Sequence, residues 1–254
     1  MTCNSLSSEL SGTDDPLLET MTNILWLGFS DLPYPLKRCF LYCCLFPEDY
    51  WIIPRRVIRL WVAEGFVGKI GNMAPEEVAE TYRIGLVKRN VLQVVKRNAV
   101  GRLKRCQMHD LMRDIALSTS RIQKFCGIYD AQEASNDSGV RRLQLFHSKV
   151  DDLRSWSGMP KLRSLLVFNH IGKISPDSLP LLLRTSKVFR VLELQAAPIE
   201  KLSDELANLF NLRYLNIRMT KVNELNNSIG SMNDDVVQNH PHFSMNGKTD
   251  VEVA

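Results

Sequence analysis

Histidine and cysteine side chains are the candidates in this sequence for catalysis or metal binding, and their spacing along the chain restricts both roles. None of the histidines has the spacing of a metal site or stands in a serine or cysteine nucleophile motif; they are His109, His147, His170, His240 and His242. Three of the six cysteines fall inside one apolar run, and no Cys-x-x-Cys pair occurs. The spacing favours buried free thiols over metal ligands or disulfides, and it predicts no catalytic or metal site.

A phosphate-binding loop is the other chemistry that a short pattern would reveal. The triplet Gly247-Lys248-Thr249 resembles the end of such a loop, but His242 stands where the first glycine belongs. Without backbone amides and a lysine to hold phosphates, one histidine contributes a charge-assisted hydrogen bond of about 1.5–3 kcal/mol. We therefore expect no useful nucleotide affinity for this chain on its own, and no bound cofactor.

The composition is that of a folded protein without a strong charge bias. The chain has 254 residues, 44% of them hydrophobic and 24% charged, with a formal net charge of +4. This mild charge argues for neither nucleic acid nor an acidic membrane. The start of the chain has no signal-peptide pattern, and the densest apolar run, Cys39 to Phe46, is too short to span a bilayer. We expect a soluble, cytoplasmic protein.

The first half of the chain has the pattern of helices followed by a β-hairpin. One helix is predicted from Pro54, a first-turn proline, to the natural stop Gly65, and another from Pro75 to Arg89. Strand candidates at 91–95 and 103–108 flank a turn signal. Asp110 is a good N-cap for a further helix. This order of elements is typical of a winged helix, and the polar segment 131–139 then predicts a domain boundary.

Beyond residue 139 the sequence repeats itself. An apolar pattern at i, i+3 and i+5 starts at Val140, Leu162, Phe189 and Leu212, at intervals of 22, 27 and 23 residues (162 − 140, 189 − 162 and 212 − 189). Four such units are typical of leucine-rich repeats, whose short strands line a concave face. The variable residues between the apolar positions would point outward and meet a protein partner. They include Arg163, Arg190, Glu193, Arg213 and Asn216.

Several motifs in these elements resemble those of one family. Cys39 to Asp49 (CFLYCCLFPED) and Leu60 to Phe66 (LWVAEGF) look like consecutive motifs of its winged helix. Met108-His109-Asp110 matches its Met-His-Asp motif at the end of the hairpin, and Leu27 to Pro33 resembles the segment before the winged helix. Over residues 7–230 the chain resembles plant intracellular immune receptors of the nucleotide-binding, leucine-rich-repeat (NB-LRR) family, the disease resistance proteins of coiled-coil type.

The resemblance implies an α+β organisation, in which a helical, winged-helix domain precedes a short leucine-rich-repeat solenoid. The implied parts are a remnant of a preceding helical subdomain at 1–30, the winged helix at 31–128, a linker at 129–139, about four truncated repeats at 140–230, and a disordered tail at 231–254. The repeats end without a polar capping unit, which suggests a truncated gene product, a partial gene model or a splice form.

The resemblance also implies a function. Receptors of this family are switches, closed with ADP and opened when ATP replaces it, and they act in defence against pathogens. In the closed full-length receptor His109 would contact the ADP phosphate, and Asp110 would cap the following helix and so position His109. The implied partners are proteins, namely the receptor's own nucleotide-binding domain and a pathogen effector or a guarded host protein.

Two other functions are compatible with the sequence. A winged helix can bind DNA, and Arg55, Arg56 and Arg59 on one predicted helix could reach phosphates. The apolar residues of that same helix, which read as core, argue against nucleic acid. The chain could also be a stand-alone protein-interaction scaffold, or a decoy that binds full-length receptors.

Overall fold

The computed structural model describes residues 16–129, 140–146, 159–168 and 178–222. By its internal contacts the chain divides into two compact units, Met1–Cys126 and Gly127–Ala254. Residues 1–15 of the predicted helical remnant, most of the predicted linker and the whole predicted tail at 231–254 lie outside the described residues.

The described part of the first unit consists of helices and one antiparallel hairpin. The helices are α1 (Pro16–Ser30), α2 (Tyr34–Cys43), α3 (Pro54–Glu64), α4 (Pro75–Lys88) and α5 (Asp110–Ile122), and the strands are β1 (Leu92–Arg97) and β2 (Leu103–Met108). Along the chain the hairpin follows α4 and precedes α5. This is the order predicted for a winged helix.

The predicted ends of α3 and α4 are confirmed, and local chemistry accounts for them. Each helix has proline in its first turn, where a missing backbone N–H is not needed. At the end of α3, Gly65 adopts the left-handed conformation with φ 74°, and the amide of Phe66 donates to the carbonyl of Trp61 at 3.0 Å. At the start of α4, the Glu77 carboxylate accepts the amide of Ala74 at 3.0 Å.

A tight turn and a neighbouring segment hold the hairpin. The Asn98 side-chain oxygen accepts the amides of Val100 and Arg102, at 3.2 and 2.7 Å, and Gly101 supplies the positive φ of 77° that the turn requires. On the other side of β2, Ile52 and Cys106 exchange two backbone hydrogen bonds of 2.8 and 3.0 Å. The hairpin is therefore joined to the segment that leads into α3.

The core of the first unit lies where the apolar faces of its helices meet. Trp61 on α3 is the largest fully buried side chain, and Phe40, Tyr42 and Phe46 are also fully buried. Burial of one large apolar side chain stabilises a fold by about 1.5–3 kcal/mol. Among the described residues, no helix has the length and apolarity needed to cross a membrane.

The described part of the second unit is built on a parallel sheet. Its strands, in both chain order and sheet order, are β3 (Gly127–Tyr129), β4 (Arg142–Phe146), β5 (Ser164–Phe168), β6 (Val191–Glu193) and β7 (Tyr214–Asn216). Helix α6 (Ser178–Thr185) lies between β5 and β6, and a 3-10 helix (Asp204–Asn208) lies between β6 and β7. The sequence did not predict β3, a three-residue strand that pairs with β4.

The register of this sheet brings equivalent positions of the repeated sequence together. Leu143 lies opposite Leu165, which lies opposite Leu192, which in turn lies opposite Leu215. All four leucines belong to one buried apolar cluster, and the initial apolar residues of the last three units belong to it as well; these are Leu162, Phe189 and Leu212. Successive parallel strands, expected from the repeated pattern, are therefore present in the described residues.

Candidate functional site

His109 lies where the hairpin ends and helix α5 begins. Its backbone is extended, with φ −69° and ψ 143°, and its carbonyl accepts the amide of Arg113 at 2.9 Å. The ring Nδ1 accepts the amide of Leu111 at 3.3 Å. Since an accepting nitrogen carries no hydrogen, the neutral imidazole has its hydrogen on Nε2. The side chain is exposed, so Nε2 is available as a donor to a group outside the helix.

The N-cap of α5 is His109, so the prediction that Asp110 caps this helix is wrong. Asp110 is the first helical residue and lies in the first turn, where its carboxylate is favourable for the helix dipole. The difference arises because the ring of His109 satisfies the amide of Leu111 and so takes the place of the expected aspartate oxygen. Asp110 can therefore contribute charge beside His109 and does not hold it in place by capping.

The packing of α5 and the end of β2 fixes the position of His109. Met108, which precedes it, is buried, and the inner face of α5 is buried through Met112 and Ile115. Arg113 donates from Nε to the carbonyl of Phe46 at 3.3 Å. Partial burial raises the pKa of Asp114, and Asp110 adds to the rise against the opposing effect of Arg113. His109 therefore projects from an anchored helix start with two carboxylates nearby in sequence.

The cysteines among the described residues are buried free thiols, as predicted. They are Cys39, Cys43, Cys44, Cys106 and Cys126. The Cys44 and Cys126 sulfurs lie 3.3 Å apart. Burial raises the pKa of Cys44 well above its ordinary value and raises that of Cys106 to about 11. In the part of the chain that the structure describes, no three histidine, cysteine or acidic side chains are grouped to hold a metal ion.

The three arginines predicted to meet a partner stand at equivalent positions, each one residue before a strand. Arg163 and Arg190 are half-buried and Arg213 is exposed. Backbone hydrogen bonds connect them. The amide of Arg190 donates to the carbonyl of Arg163 at 2.7 Å, and the amide of Arg213 donates to the carbonyl of Arg190 at 2.9 Å. Arg163 donates in the same way to Arg141 at 2.7 Å.

Arg141 is therefore a fourth member of this set, and we call Arg141, Arg163, Arg190 and Arg213 the arginine row. Sequence reasoning missed Arg141, although its position one residue after the first apolar residue of its unit was a usable signal. Neighbouring strands are about 4.8 Å apart, so the row concentrates positive charge along one line of the sheet.

Glu193 and Asn216 do not point outward to solvent, so this part of the prediction is wrong. Glu193 is fully buried, and Asn216 is 6% exposed. The Tyr214 hydroxyl donates to Glu193 Oε2 at 2.8 Å, and the Gln195 amide donates to Oε1 at 3.2 Å. The side-chain amide of Asn216 in turn donates to the hydroxyl oxygen of Tyr214 at 3.5 Å. These residues form a buried polar network across β6 and β7 and are not available as partner contacts in this structure.

The arginines considered for DNA binding also separate into two kinds. Arg55 and Arg59 are exposed, but Arg56 is only 8% exposed. Its guanidinium donates to the Tyr50 hydroxyl at 2.6 Å and lies 5.9 Å from the centre of the Phe46 ring. Arg56 therefore belongs to the packing of the first unit, and of the three arginines that could reach phosphates only Arg55 and Arg59 are exposed.

Comparisons with known proteins identify the winged helix of the first unit. The family described as "Disease resistance protein Winged helix domain" matches residues 45–116. Disease resistance protein RPM1 of Arabidopsis thaliana is 41% identical over 217 residues, which are 82% of this chain and 22% of that protein. Putative disease resistance RPP13-like protein 2 of the same plant is 34% identical over 242 residues, 90% of this chain and 27% of that protein.

The similarity extends to a second plant. Disease resistance protein PIK6-NP of Oryza sativa subsp. japonica is 31% identical over 218 residues, 84% of this chain and 20% of that protein. The chain thus spans about a fifth to a quarter of the length of the curated relatives it matches. Its matched helices and hairpin form a winged helix domain, and the chain belongs to the plant disease resistance proteins of the NB-LRR family.

Proposed function

We propose that this chain is the winged-helix and leucine-rich-repeat segment of a cytoplasmic plant immune receptor that acts in defence against pathogens. The observation that carries the proposal is the winged helix domain at residues 45–116, together with similarity to disease resistance proteins over 82% of the chain. The chain covers about a fifth of the length of RPM1. The activity of a whole receptor is therefore proposed here and not observed.

The second unit acts, in this proposal, as a short leucine-rich-repeat solenoid. The support is the alignment of Leu143, Leu165, Leu192 and Leu215 on successive parallel strands, at the same place in each repeated unit. Stacked repeats bury a continuous core because each unit covers the apolar face of the next. The buried cluster that these leucines share is what such stacking requires. The described repeats would begin the solenoid after the winged helix.

His109 is the proposed contact to the ADP phosphate in the full receptor. The support is its exposed ring, whose Nδ1 is occupied by the Leu111 amide so that Nε2 can donate. Its place at the start of α5 adds the partial positive charge of a helix N-terminus. The neighbouring carboxylate of Asp110 repels a phosphate. The negative charge of the nucleotide would therefore be neutralised mainly by a neighbouring domain of the receptor.

A fusion protein tests this proposal. In it, the nucleotide-binding domain of a related disease resistance protein would precede this chain, and bound ADP would be followed by chromatography after dilution. Loss of one charge-assisted hydrogen bond of about 1.5–3 kcal/mol should make His109→Ala release ADP roughly 10- to 100-fold faster. Arg121→Ala is the control, because Arg121 is an exposed residue at the far end of the same helix. Equal release rates for His109→Ala and the unsubstituted fusion would refute the phosphate contact.

The chain without that domain provides the complementary measurement. It offers one histidine as a phosphate donor, so titration calorimetry should detect no micromolar binding of ADP or ATP. Micromolar affinity for the chain alone would contradict the proposal that the phosphates are held mainly by another domain.

Partner binding by the second unit is assigned to the arginine row. Its support is the stacking of Arg141, Arg163, Arg190 and Arg213 at equivalent positions before successive strands. The proposed partners are proteins, either another domain of the receptor or an effector or guarded host protein. A stand-alone interaction scaffold would use the same surface. DNA binding by α3 is not proposed, since Arg56 is packed against Tyr50 and Phe46.

A further inference from the structure

A groove in the first unit, separate from His109, has the chemistry of a protein docking site. It lies among α3, α4 and the hairpin and has a volume of about 840 Å³. Its apolar lining includes Pro54, Ile58, Ile84, Val87 and Leu103. Ile84 keeps 39% of its surface exposed, so apolar surface is left open there. A groove of this size can take several side chains of a peptide.

Positive charge without a partner also lines this groove. Arg55, Arg59, Lys88 and Arg102 line the groove, and all are exposed. None of the four forms a hydrogen bond or ion pair through its side chain within the described residues. We call these four side chains the groove cations.

The other basic side chains that line the groove form hydrogen bonds within the first unit, unlike the groove cations. Arg83 is hydrogen-bonded twice to Glu80, one turn earlier on α4. Arg97 donates to the carbonyl of Gly101 at 3.0 Å. The Glu77 carboxylate is used by the amide of Ala74 at the start of α4. Among the residues that line the groove, the charge left without a partner is therefore mainly positive.

The fold itself does not explain two of the groove cations. Arg55 lies in the first turn of α3 and Arg59 in the second, and the first turn contains no acidic residue. The helix dipole is positive at this end and disfavours the cation of Arg55. Arg56 is accounted for by its contact with Tyr50, whereas Arg55 and Arg59 have no such contact. A negatively charged ligand would offset the local cost.

We propose that this groove binds an acidic peptide segment of a partner protein, with aliphatic or aromatic side chains interspersed among its carboxylates. The apolar side chains lie against Ile58, Ile84 and Leu103, and the carboxylates pair with the groove cations. A nucleic acid fits less well, because its phosphate backbone makes no use of the apolar lining. The assignment does not depend on nucleotide sensing by His109, which is not part of the groove.

Fluorescence anisotropy with the full chain tests the assignment. The probe is a fluorescein-labelled peptide of alternating glutamate and leucine, and a peptide of glutamate and serine is its apolar-free counterpart. The first should bind saturably and the second at least about tenfold more weakly, because it cannot fill the apolar lining. Equal binding of both peptides would overturn the proposal, since general charge attraction would then account for it.

Charge reversal locates the bound peptide. Arg55→Glu with Arg59→Glu should weaken binding of the glutamate–leucine peptide by about tenfold or more. The control is Lys69→Glu with Arg121→Glu, which makes the same change in net charge at exposed positions outside the groove. If the two double variants lose affinity equally, the groove is not the site.

Two further comparisons complete the test. Ile84→Ser should weaken binding, whereas Ile122→Ser, at an exposed isoleucine on α5, should not. Circular dichroism of each variant verifies that it is folded. A duplex DNA fragment that displaces the peptide at low micromolar concentration, and that Arg55→Glu with Arg59→Glu no longer binds, would assign the groove to nucleic acid instead.

Discussion

At the scale of single residues, the environment of a side chain decides its chemistry more than its type does. His109 is exposed at a helix start with one ring nitrogen occupied, so it can present a single directed donor. The described cysteines have the opposite environment: they are buried, and burial disfavours the thiolate that reactive cysteine chemistry requires. One ring nitrogen of His109 is therefore available as a hydrogen-bond donor, whereas the thiols are part of the core.

The thiols lead to a prediction about pH. Burial raises the pKa of Cys106 to about 11 and that of Cys43 well above its ordinary value of 9.0. An unfolded chain loses these protons near pH 9, while the folded chain keeps them. The contribution to stability is therefore complete below pH 9, and the free energy of unfolding should fall as pH rises from 9 towards 11.

Urea denaturation at several pH values measures this effect. The variant Cys106→Ala should show a shallower fall than the unsubstituted chain over the same range, because one titrating thiol is gone. Identical slopes for the two proteins would mean that Cys106 ionises as easily in the folded state as in the unfolded one. Alkylation followed by mass spectrometry at pH 8 should also find Cys43 and Cys106 protected until urea is added.

At the level of helices and strands, a glycine ends one helix of the first unit, and a leucine recurs at an equivalent position on four strands of the second. Gly65 ends α3 in a left-handed conformation, which allows the chain to turn away from the helix towards α4. In the second unit a leucine from each of four successive strands enters the same buried cluster.

Replacing Gly65 by alanine should destabilise the chain by about 1 kcal/mol, because an L side chain is strained at a φ of 74°. Gly28 is the matched control within helix α1: its added methyl group meets no atom within 4 Å, and its φ is not positive. Gly28→Ala should stabilise the chain by up to about 1 kcal/mol. Urea midpoints measure both, and a loss of equal size in both variants would contradict the assigned helix end.

Replacing Leu192 by alanine should lower the free energy of unfolding by about 2–5 kcal/mol, because it opens a cavity in the stacked leucine core. Phe210, which is 92% exposed in the same unit, is the control, and Phe210→Ala should change stability by less than about 0.5 kcal/mol. Thermal unfolding followed by circular dichroism compares them. Similar small effects for both substitutions would show that the leucines do not form a packed core.

Sequence patterns predicted these elements where the signal is local. Proline and glycine marked the ends of α3, and the repeated leucines marked the strands, because both act within a few residues of their own position. The burial of Glu193 and Asn216 could not be read in this way. Each is a polar residue between two aliphatic residues, a pattern that predicts an exposed side chain, but its burial depends on groups from neighbouring strands such as Tyr214.

The candidate site was predicted only where local patterns determine it. The position of His109 at the end of the hairpin followed from the strand and helix patterns around it. Which residue caps α5 was not predictable, since Asp110 has the stronger cap propensity and the ring of His109 nevertheless accepts the amide. The inward turn of Arg56 was equally hidden, because it depends on Tyr50 in the preceding segment.

At the scale of the whole molecule, each compact unit carries its own kind of surface. The first unit presents His109 at the start of α5 and the groove cations around an apolar lining. The second unit presents the arginine row along its parallel sheet. The net charge of only +4 means that these basic features come from placement and not from a general excess of lysine and arginine. Such an arrangement suits contacts with selected acidic groups in several places.

If His109 donates a hydrogen bond to ADP held by a neighbouring domain, NMR of the receptor fusion should detect that bond. With nitrogen-15-labelled histidine, His109→Gln identifies which signal belongs to His109. We expect ADP to shift the Nε2 signal of His109 and to leave the signal of Nδ1, which accepts the Leu111 amide, little changed. If ADP binds the fusion while both nitrogen signals of His109 stay where they were, the proposed role of this histidine is contradicted.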